Sequence, residues 1–304
     1  MFSVIAFFPI QTLLVGSEEF RSGVYSKELN RDSVDRQRSV EIIEKFLEQP
    51  VPGLEVSYRE FFDTMINEGF QVYLMGGVLR DLLSDPKQKV NDVDFNFLAP
   101  KEELVSFMKK HRWQYTTLPN SAIVTIGDND NNQHTLEGRS TTLEYMKDDN
   151  NYEFTVNEIF YDLKDRTFLP NYEKSREDIR NKRLRISAHD WKVWFNSSVP
   201  YKKVLRFWKM TGKGYIYSVE VENYVRNIVQ EAMKNDADAF NREIIKYIGT
   251  HYSGFEDVIR GCKNTMGQEW CESVLLSKKN LIINKDKSFK EKQARFSFKP
   301  DVDF

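Results

Sequence analysis

Two glycines, an arginine and two aspartates stand close together in the first third of the chain, and their types and order suit one chemistry. Gly76 and Gly77 are adjacent and are followed by Arg80. Glycine turns with positive φ and lets a bulky anion approach the backbone. Amides that open a helix at such a turn point outward, and the helix dipole favours negative charge there. A guanidinium one turn further on adds a fork of donors for phosphate. Taken alone, Gly-Gly before a helix is an ordinary tight turn. Asp92 and Asp94 follow. At i and i+2 of a strand they project to one face, where they repel each other unless a cation lies between them. Mg²⁺ prefers such hard oxygen ligands and leaves positions for substrate phosphates. Metal ions so placed stabilise the attacking and leaving oxygens of an in-line phosphoryl transfer. Alone, Asp-x-Asp also describes two solvent-facing carboxylates on an edge strand. After Gly-Gly and an arginine, it reads as a place for a metal-bound nucleoside triphosphate.

The elements that must position these residues are visible as periodicities. Residues 70–75 form a short apolar run entered from Gly69 and closed by Gly76-Gly77, which predicts a buried strand. Val78, Leu79, Leu82 and Leu83 then take helical spacing. Over 90–97 the period is two, with Asp92, Asp94 and Asn96 on one face and Val93, Phe95 and Phe97 on the other. A helix is predicted at 101–110 and strands at 113–117, 122–127 and 133–137, the last two joined by a turn at Asp128 to Asn132. Tyr152 to Val156 opens another ordered segment. Upstream, 17–38 is polar and reads as a connector. Ser39 then precedes an amphipathic helix with Val40, Ile42, Ile43, Phe46 and Leu47 on one side, ended by Pro50, Pro52 and Gly53. Phe61, Phe62, Met65 and Ile66 mark a second helix. From about 187 the pattern is helical, with one apolar face at Val221, Tyr224, Val225, Ile228 and Val229 and another at Ile244, Ile245 and Ile248. The elements read as α+β, strands among helices followed by a helical part.

The stretch YLMGGVLRDLLSDPKQKVNDVDFNF resembles the head domain of class II CCA-adding tRNA nucleotidyltransferases and bacterial poly(A) polymerases, within the DNA polymerase β-like nucleotidyltransferase superfamily. The family pattern is a strand, Gly-Gly-x-Val-Arg-Asp and then Asp-x-Asp. It maps onto Gly76, Gly77, Leu79, Arg80, Asp81, Asp92 and Asp94, with Leu79 in place of valine. AIVTIGDNDNNQHTLE is similar to the family's strand pair that ends in a third acidic residue, which puts Glu137 at that position. NYEFTVNEIFYDL is similar to the segment that reads the sugar, with Glu153 where the family has Asp, and with Asn157 matching. The family's paired arginines are here Asn151 and Tyr152. Each charged hydrogen bond so lost is worth roughly 1.5–3 kcal/mol, which implies weaker hold on the triphosphate. Asp178-Ile179 and Arg183-Leu184-Arg185 continue the likeness, which covers about residues 58–210. In the neck, where the family reads the base with Glu-Asp-x-x-Arg, this chain has Asn196, Ser197, Ser198 and Pro200. A literal Glu256-Asp257-Val258-Ile259-Arg260 occurs later and reads as chance.

The resemblance implies a polymerase β-like head at 51–186, α+β with a mixed sheet flanked by helices, after an N-terminal extension at 1–50, then a helical neck and body at 187–277 and a basic tail at 278–304. It implies catalysis and metal binding by Asp92, Asp94 and Glu137, with Mg²⁺ as the metal. Gly76, Gly77, Arg80, Glu153 and Asn157 would bind the nucleotide, ATP or CTP. The acceptor would be an RNA 3′ end, tRNA or tRNA-like. Transfer to a protein or a small molecule, or a non-catalytic RNA- or nucleotide-binding role, are the alternatives.

The formal net charge of −2 names no partner. Locally, Lys202, Lys203, Arg206, Lys209 and Lys213 fall in a short span without an acid, interleaved with Tyr201, Phe207, Trp208 and Tyr215. Such a span suits an RNA backbone with rings stacked on bases; a half-buried helix with its aromatics in the core is the alternative. Lys202, Lys203, Arg206 and Lys209 are the expected RNA contacts. Cys262 and Cys271 have no His at ligand spacing, so a zinc site is set aside. Two thiols fit a reducing compartment, here the cytoplasm, with a single bridge between them as the alternative. The start, MFSVIAFFPIQTLLVG, lacks an early basic residue, is interrupted by Pro9 and is shorter than the roughly 20 residues of a membrane span. It reads as one or two buried strands, with a targeting or membrane segment as the alternative, and no membrane partner is expected.

Overall fold

The computed structural model describes residues 33–88, 90, 92–118, 120–127, 135–148, 151–187, 200–250 and 255–275. The expected N-terminal strands, the turn at Asp128 to Asn132, the neck positions Asn196, Ser197 and Ser198, and the tail from Lys278 lie outside the described residues.

Seven described strands form one sheet: β1 (Val72–Met75), β2 (Asp92–Phe97), β3 (Tyr115–Thr117), β4 (Ile123–Ile126), β5 (Thr135–Ser140), β6 (Phe160–Asp162) and β7 (Thr167–Phe168). Their order is β3-β4-β5-β2-β1-β6-β7. Only the β2–β5 pair is parallel, so the sheet is mixed, as expected. The alternation in β2 gives its two faces opposite fates. Val93, Phe95 and Phe97 are buried, and Phe95 meets the rings of Phe61 and Phe62 at 6.2 and 5.2 Å. Those rings come from α2 (Tyr58–Asn67), which starts where the Ser57 hydroxyl accepts the Glu60 N–H at 3.1 Å. On the same side lies α4 (Lys101–Lys110), with Glu102 and Glu103 in its first turn and Lys109 and Lys110 in its last, each sign at the favoured end of the helix dipole. It approaches β5 so closely that a Cβ on Gly138 would lie 2.5 Å from the Phe95 ring and 2.9 Å from Leu104. The opposite face, carrying Asp92, Asp94 and Asn96, is left for the site.

Two expectations are corrected here. The helix α1 is described over 33–47, so the polar connector read up to residue 38 ends earlier than its composition suggests. Its Ile43, Phe46 and Leu47 join the core that β1 and β2 line. Tyr161 of β6 donates to Glu44 at 2.7 Å, and Asp35 receives the Arg176 guanidinium at 3.1 Å. The strand β5 runs to Ser140 rather than residue 137 and so adds Arg139 to the sheet.

After α3 (Gly77–Ser84), α5 (Leu143–Lys147), a 3₁₀ turn at Thr155–Asn157 and α6 (Tyr172–Arg180), the chain is helical: α7 (Pro200–Gly212), α8 (Val219–Thr250), α9 (Phe255–Met266) and α10 (Gln268–Val274). The two apolar faces read after residue 220 belong to α8, on either side of a break at Asp236, whose backbone leaves the helical region at φ −157° and ψ 71°. The Asp236 carboxylate accepts the Ala239 N–H at 2.8 Å and caps the second half. Glycines let α7 and α9 touch. A Cβ on Gly261 would sit 1.9 Å from the Trp208 carbonyl oxygen, and one on Gly212 would sit 1.8 Å from that of Asp257. Phe207 and Trp208 are fully buried, so the aromatics of the basic span serve the core. Among the described residues no helix is long and apolar enough to cross a membrane.

Candidate active site

The turn after β1 is built on Gly76, whose φ of +61° and ψ of −116° suit glycine alone. Its N–H donates to the Ile159 carbonyl at 3.1 Å, and its carbonyl accepts the Arg80 N–H at 3.0 Å as α3 begins. A Cβ on Gly77 would meet nothing closer than Arg80 Nη2 at 3.7 Å. Protein packing therefore does not demand glycine there, and a side chain would instead protrude into the cavity that Gly77 lines.

Arg80 is buried, at 7% exposure, and its direction is fixed on two sides. Its Nε donates to Asp81 at 2.8 Å and its Nη1 to Asn157 Oδ1 at 2.6 Å. Asp81 also accepts from Lys213, just past the end of α7, at 2.9 Å. Burial works against the Asp81 carboxylate, yet the two cations hold it down at about 2.

The acids come together across the parallel pair. Asp92 lies in register with Thr135, Asp94 with Glu137 and Asn96 with Arg139. Burial and then the neighbouring Asp92 raise Asp94 above the ordinary carboxylate range. Burial, then Asp94 and Asp92, push Glu137 up to about 7. Three carboxylates thus share one field, and a divalent cation would relieve it. Among the described residues no three His, Cys, Asp or Glu side chains are drawn close enough to form a ready metal cage. Mg²⁺ needs none, because it is held by one or two carboxylates together with substrate phosphates. The donor set therefore fits that ion.

A cavity of about 410 Å³ opens over this face. Gly76, Gly77, Arg80, Asp92, Asp94, Glu153, Asn157, Arg206 and Lys209 all line it, so most residues expected from the sequence meet in one place. Glu137 stands beside Asp94 but is not part of the cavity wall. Glu153 is paired with Arg206, and that pair faces the cavity. Of the four cations expected to meet RNA, two line the cavity. Arg206 and Lys209 turn to the cavity, Lys202 does not line it, and Lys203 is buried at 8% exposure, at odds with an RNA-facing place. Burial, then Lys213 and Arg80, lower the Lys209 ammonium below its usual range.

Arg139, Lys213 and Asp257 are among the lining residues missed as site residues. Arg139 comes from the unexpected end of β5, and Lys213 was noted in the sequence only as part of a basic surface. Asp257 belongs to the segment dismissed as chance; it lines the cavity, and its carboxylate accepts from Arg260 at 3.2 Å. The literal Glu-Asp-x-x-Arg at 256–260 was the available signal, but nothing local placed it near the site.

No protein-family model and no curated protein matches this sequence. Solved structures do match its fold. A tRNA-processing enzyme in an apo form aligns at TM-score 0.52 and 19% identity, over 71% of this chain and 57% of that one. A tRNA nucleotidyltransferase complexed with a primer tRNA and an incoming ATP analog aligns at 0.50 and 18%, over 70% and 61%. A CCA-adding enzyme in complex with ATP aligns at 0.52 and 17%, over 69% and 50%. At such identities the likeness is one of fold, and it agrees with the α+β head that the sequence resemblance implies. This chain covers 50–61% of the length of these three structures.

Proposed function

We propose that this chain is a template-independent nucleotidyltransferase that moves a nucleotide from ATP or CTP to the 3′ end of an RNA, tRNA or tRNA-like, with release of pyrophosphate. One observation carries the reading: Asp92, Asp94 and Glu137 are gathered across β2 and β5 beside a glycine turn and a fixed arginine that open on the same cavity. In this reading the amides after Gly76 and the Arg80 guanidinium hold the triphosphate, and Asn157 keeps Arg80 aimed. Asp92 and Asp94, with Glu137 beside them, would hold Mg²⁺. When bound, that ion supplies positive charge against the charge that develops on the phosphate oxygens. The acceptor hydroxyl oxygen bonds to the α-phosphorus while the bond to the β-phosphate oxygen breaks. The hydroxyl proton passes to a carboxylate at the site or to water.

The arginines absent at Asn151 and Tyr152 weigh toward a non-catalytic relative. The cavity answers that loss from elsewhere, because Arg139, Arg206, Lys209 and Lys213 all line it. The proposed division of the chain keeps the head at 51–186, with α1 packed against it, and the helical body after 187. Cys262 and Cys271 are both free thiols, in keeping with the proposed cytoplasmic setting.

Incubation with labelled ATP or CTP, Mg²⁺ and tRNA tests the reading. Label should enter the RNA, and Asp92→Ala and Asp94→Ala should each cut turnover by at least about a hundredfold while the fold survives, the order lost when preorganised charge stabilisation is removed. Label on protein and never on RNA would transfer the reading to a protein acceptor. Nucleotide binding without any transfer would leave a binding protein.

A further inference from the structure

We infer that a second groove beside the cavity receives the single-stranded 3′ end of the acceptor RNA; this rests on the nucleotidyl-transfer reading above. The groove measures about 540 Å³, and Asn120, Ala122 and Thr141 contribute to its walls. It shares two residues with the first cavity, Arg139 and Tyr145, so the two adjoin.

The strand order decides which way each substrate enters. The glycine turn follows β1, on one side of β2, and Arg139 stands on β5, on the other. Asp92 and Asp94 lie on β2 between them. An in-line transfer keeps the attacking oxygen and the leaving group on opposite sides of the phosphorus. With the pyrophosphate at Gly76, Gly77 and Arg80, the attacking hydroxyl comes from the β5 side. That is where the second groove opens.

The residues at the junction suit a nucleotide chain. Arg139 is exposed and offers a guanidinium to a phosphodiester. Tyr145 keeps 43% of its surface exposed and offers a ring for a base. Asn96, in register with Arg139, is 1% exposed and lines the first cavity. Its Oδ1 has no hydrogen-bond partner among the described residues. A buried acceptor of that kind is costly unless something donates to it, and a ribose hydroxyl is such a donor. Two hydroxyls that line the groove are already engaged. Ser140 Oγ donates to the Ala99 carbonyl at 2.6 Å, and Thr142 Oγ1 accepts the Tyr145 N–H at 3.2 Å to cap α5. Recognition is therefore concentrated at the junction, where the terminal nucleotide would lie.

Ala122→Trp fills the groove from an exposed position that does not line the first cavity. Tyr145→Ala removes the ring. The probe is a short fluorescein-labelled single-stranded oligoribonucleotide, read by anisotropy alongside ATP affinity and circular dichroism. Each variant should weaken the oligonucleotide by about tenfold or more, the loss that goes with one stacked base, and Ala122→Trp should keep its ATP affinity. Folded variants that bind the oligonucleotide as the parent does, or a parent that does not bind it, overturn the groove. If the variants lose the oligonucleotide and the parent transfers no nucleotide, the groove stands and the transfer reading falls. If the parent transfers nucleotide and both variants keep the parent's RNA affinity, the transfer reading stands and the groove falls.

Discussion

At the scale of single residues, the site is governed by how one guanidinium is held. Arg80 is buried, and a buried charge is tolerated only when its donors are met. Asp81 and Asn157 meet two of them, which leaves the rest of the fork for a ligand. Asp81 is itself bridged to Lys213 and held at about 2 against an ordinary 3.8. The folded chain thus favours the charged carboxylate more than the unfolded chain does. The resulting stabilisation is complete above the ordinary value and is lost as pH falls through about 2. It amounts to about 2 kcal/mol at neutral pH. Asp81→Asn should lower stability at pH 7 by that order and remove this contribution to the acid-side decline between about pH 4 and about pH 2. Urea denaturation at a series of pH values reads both effects. Parallel pH profiles for parent and variant would contradict the assignment.

At the scale of elements, what was legible in the sequence is what neighbours in sequence determine. The strand, glycine turn and helix through β1 and α3 combine turn chemistry with periodicity in adjacent residues, and α4 occupies the predicted 101–110. The two faces of β2 follow from alternation alone. Less local features escaped. The start of α1 is exposed and polar, with Val34 63% exposed, so its first turns carry no apolar stripe to announce a helix. Asp257 reaches the cavity because α9 lies against α7, and that contact depends on Gly212 and Gly261, which no local pattern connects. Gly261→Val tests the contact. With the Trp208 carbonyl 1.9 Å from where the new Cβ would sit, the helices must separate. The expected loss is about 3 kcal/mol, the upper range for overpacking, read as a lower denaturation midpoint. An unchanged midpoint would mean that α7 and α9 are not in such close contact.

At the scale of the whole molecule, the site divides its charge between two parts of the chain. The sheet supplies the acids, and α7 supplies much of the positive wall. Arg206 and Lys209 lie on α7 three residues apart, Lys213 directly follows the helix with its N–H donating to the Lys209 carbonyl at 3.1 Å, and all three line the cavity. Lys203, on the same helix, is buried away from that wall. A net charge of −2 offers no long-range pull on a triphosphate, so attraction has to come from where these cations sit. This separates two substitutions that are identical in charge. Lys209→Ala should weaken ATP by about tenfold or more, as expected for one charged hydrogen bond, and the loss should persist at raised salt because the ammonium is partly buried. Lys203→Ala should lower the melting temperature and leave ATP affinity close to that of the parent. Calorimetric titration with ATP at low and high salt distinguishes them. Equal weakening by both would make overall charge the cause, and α7 would then not be the wall that grips the phosphates.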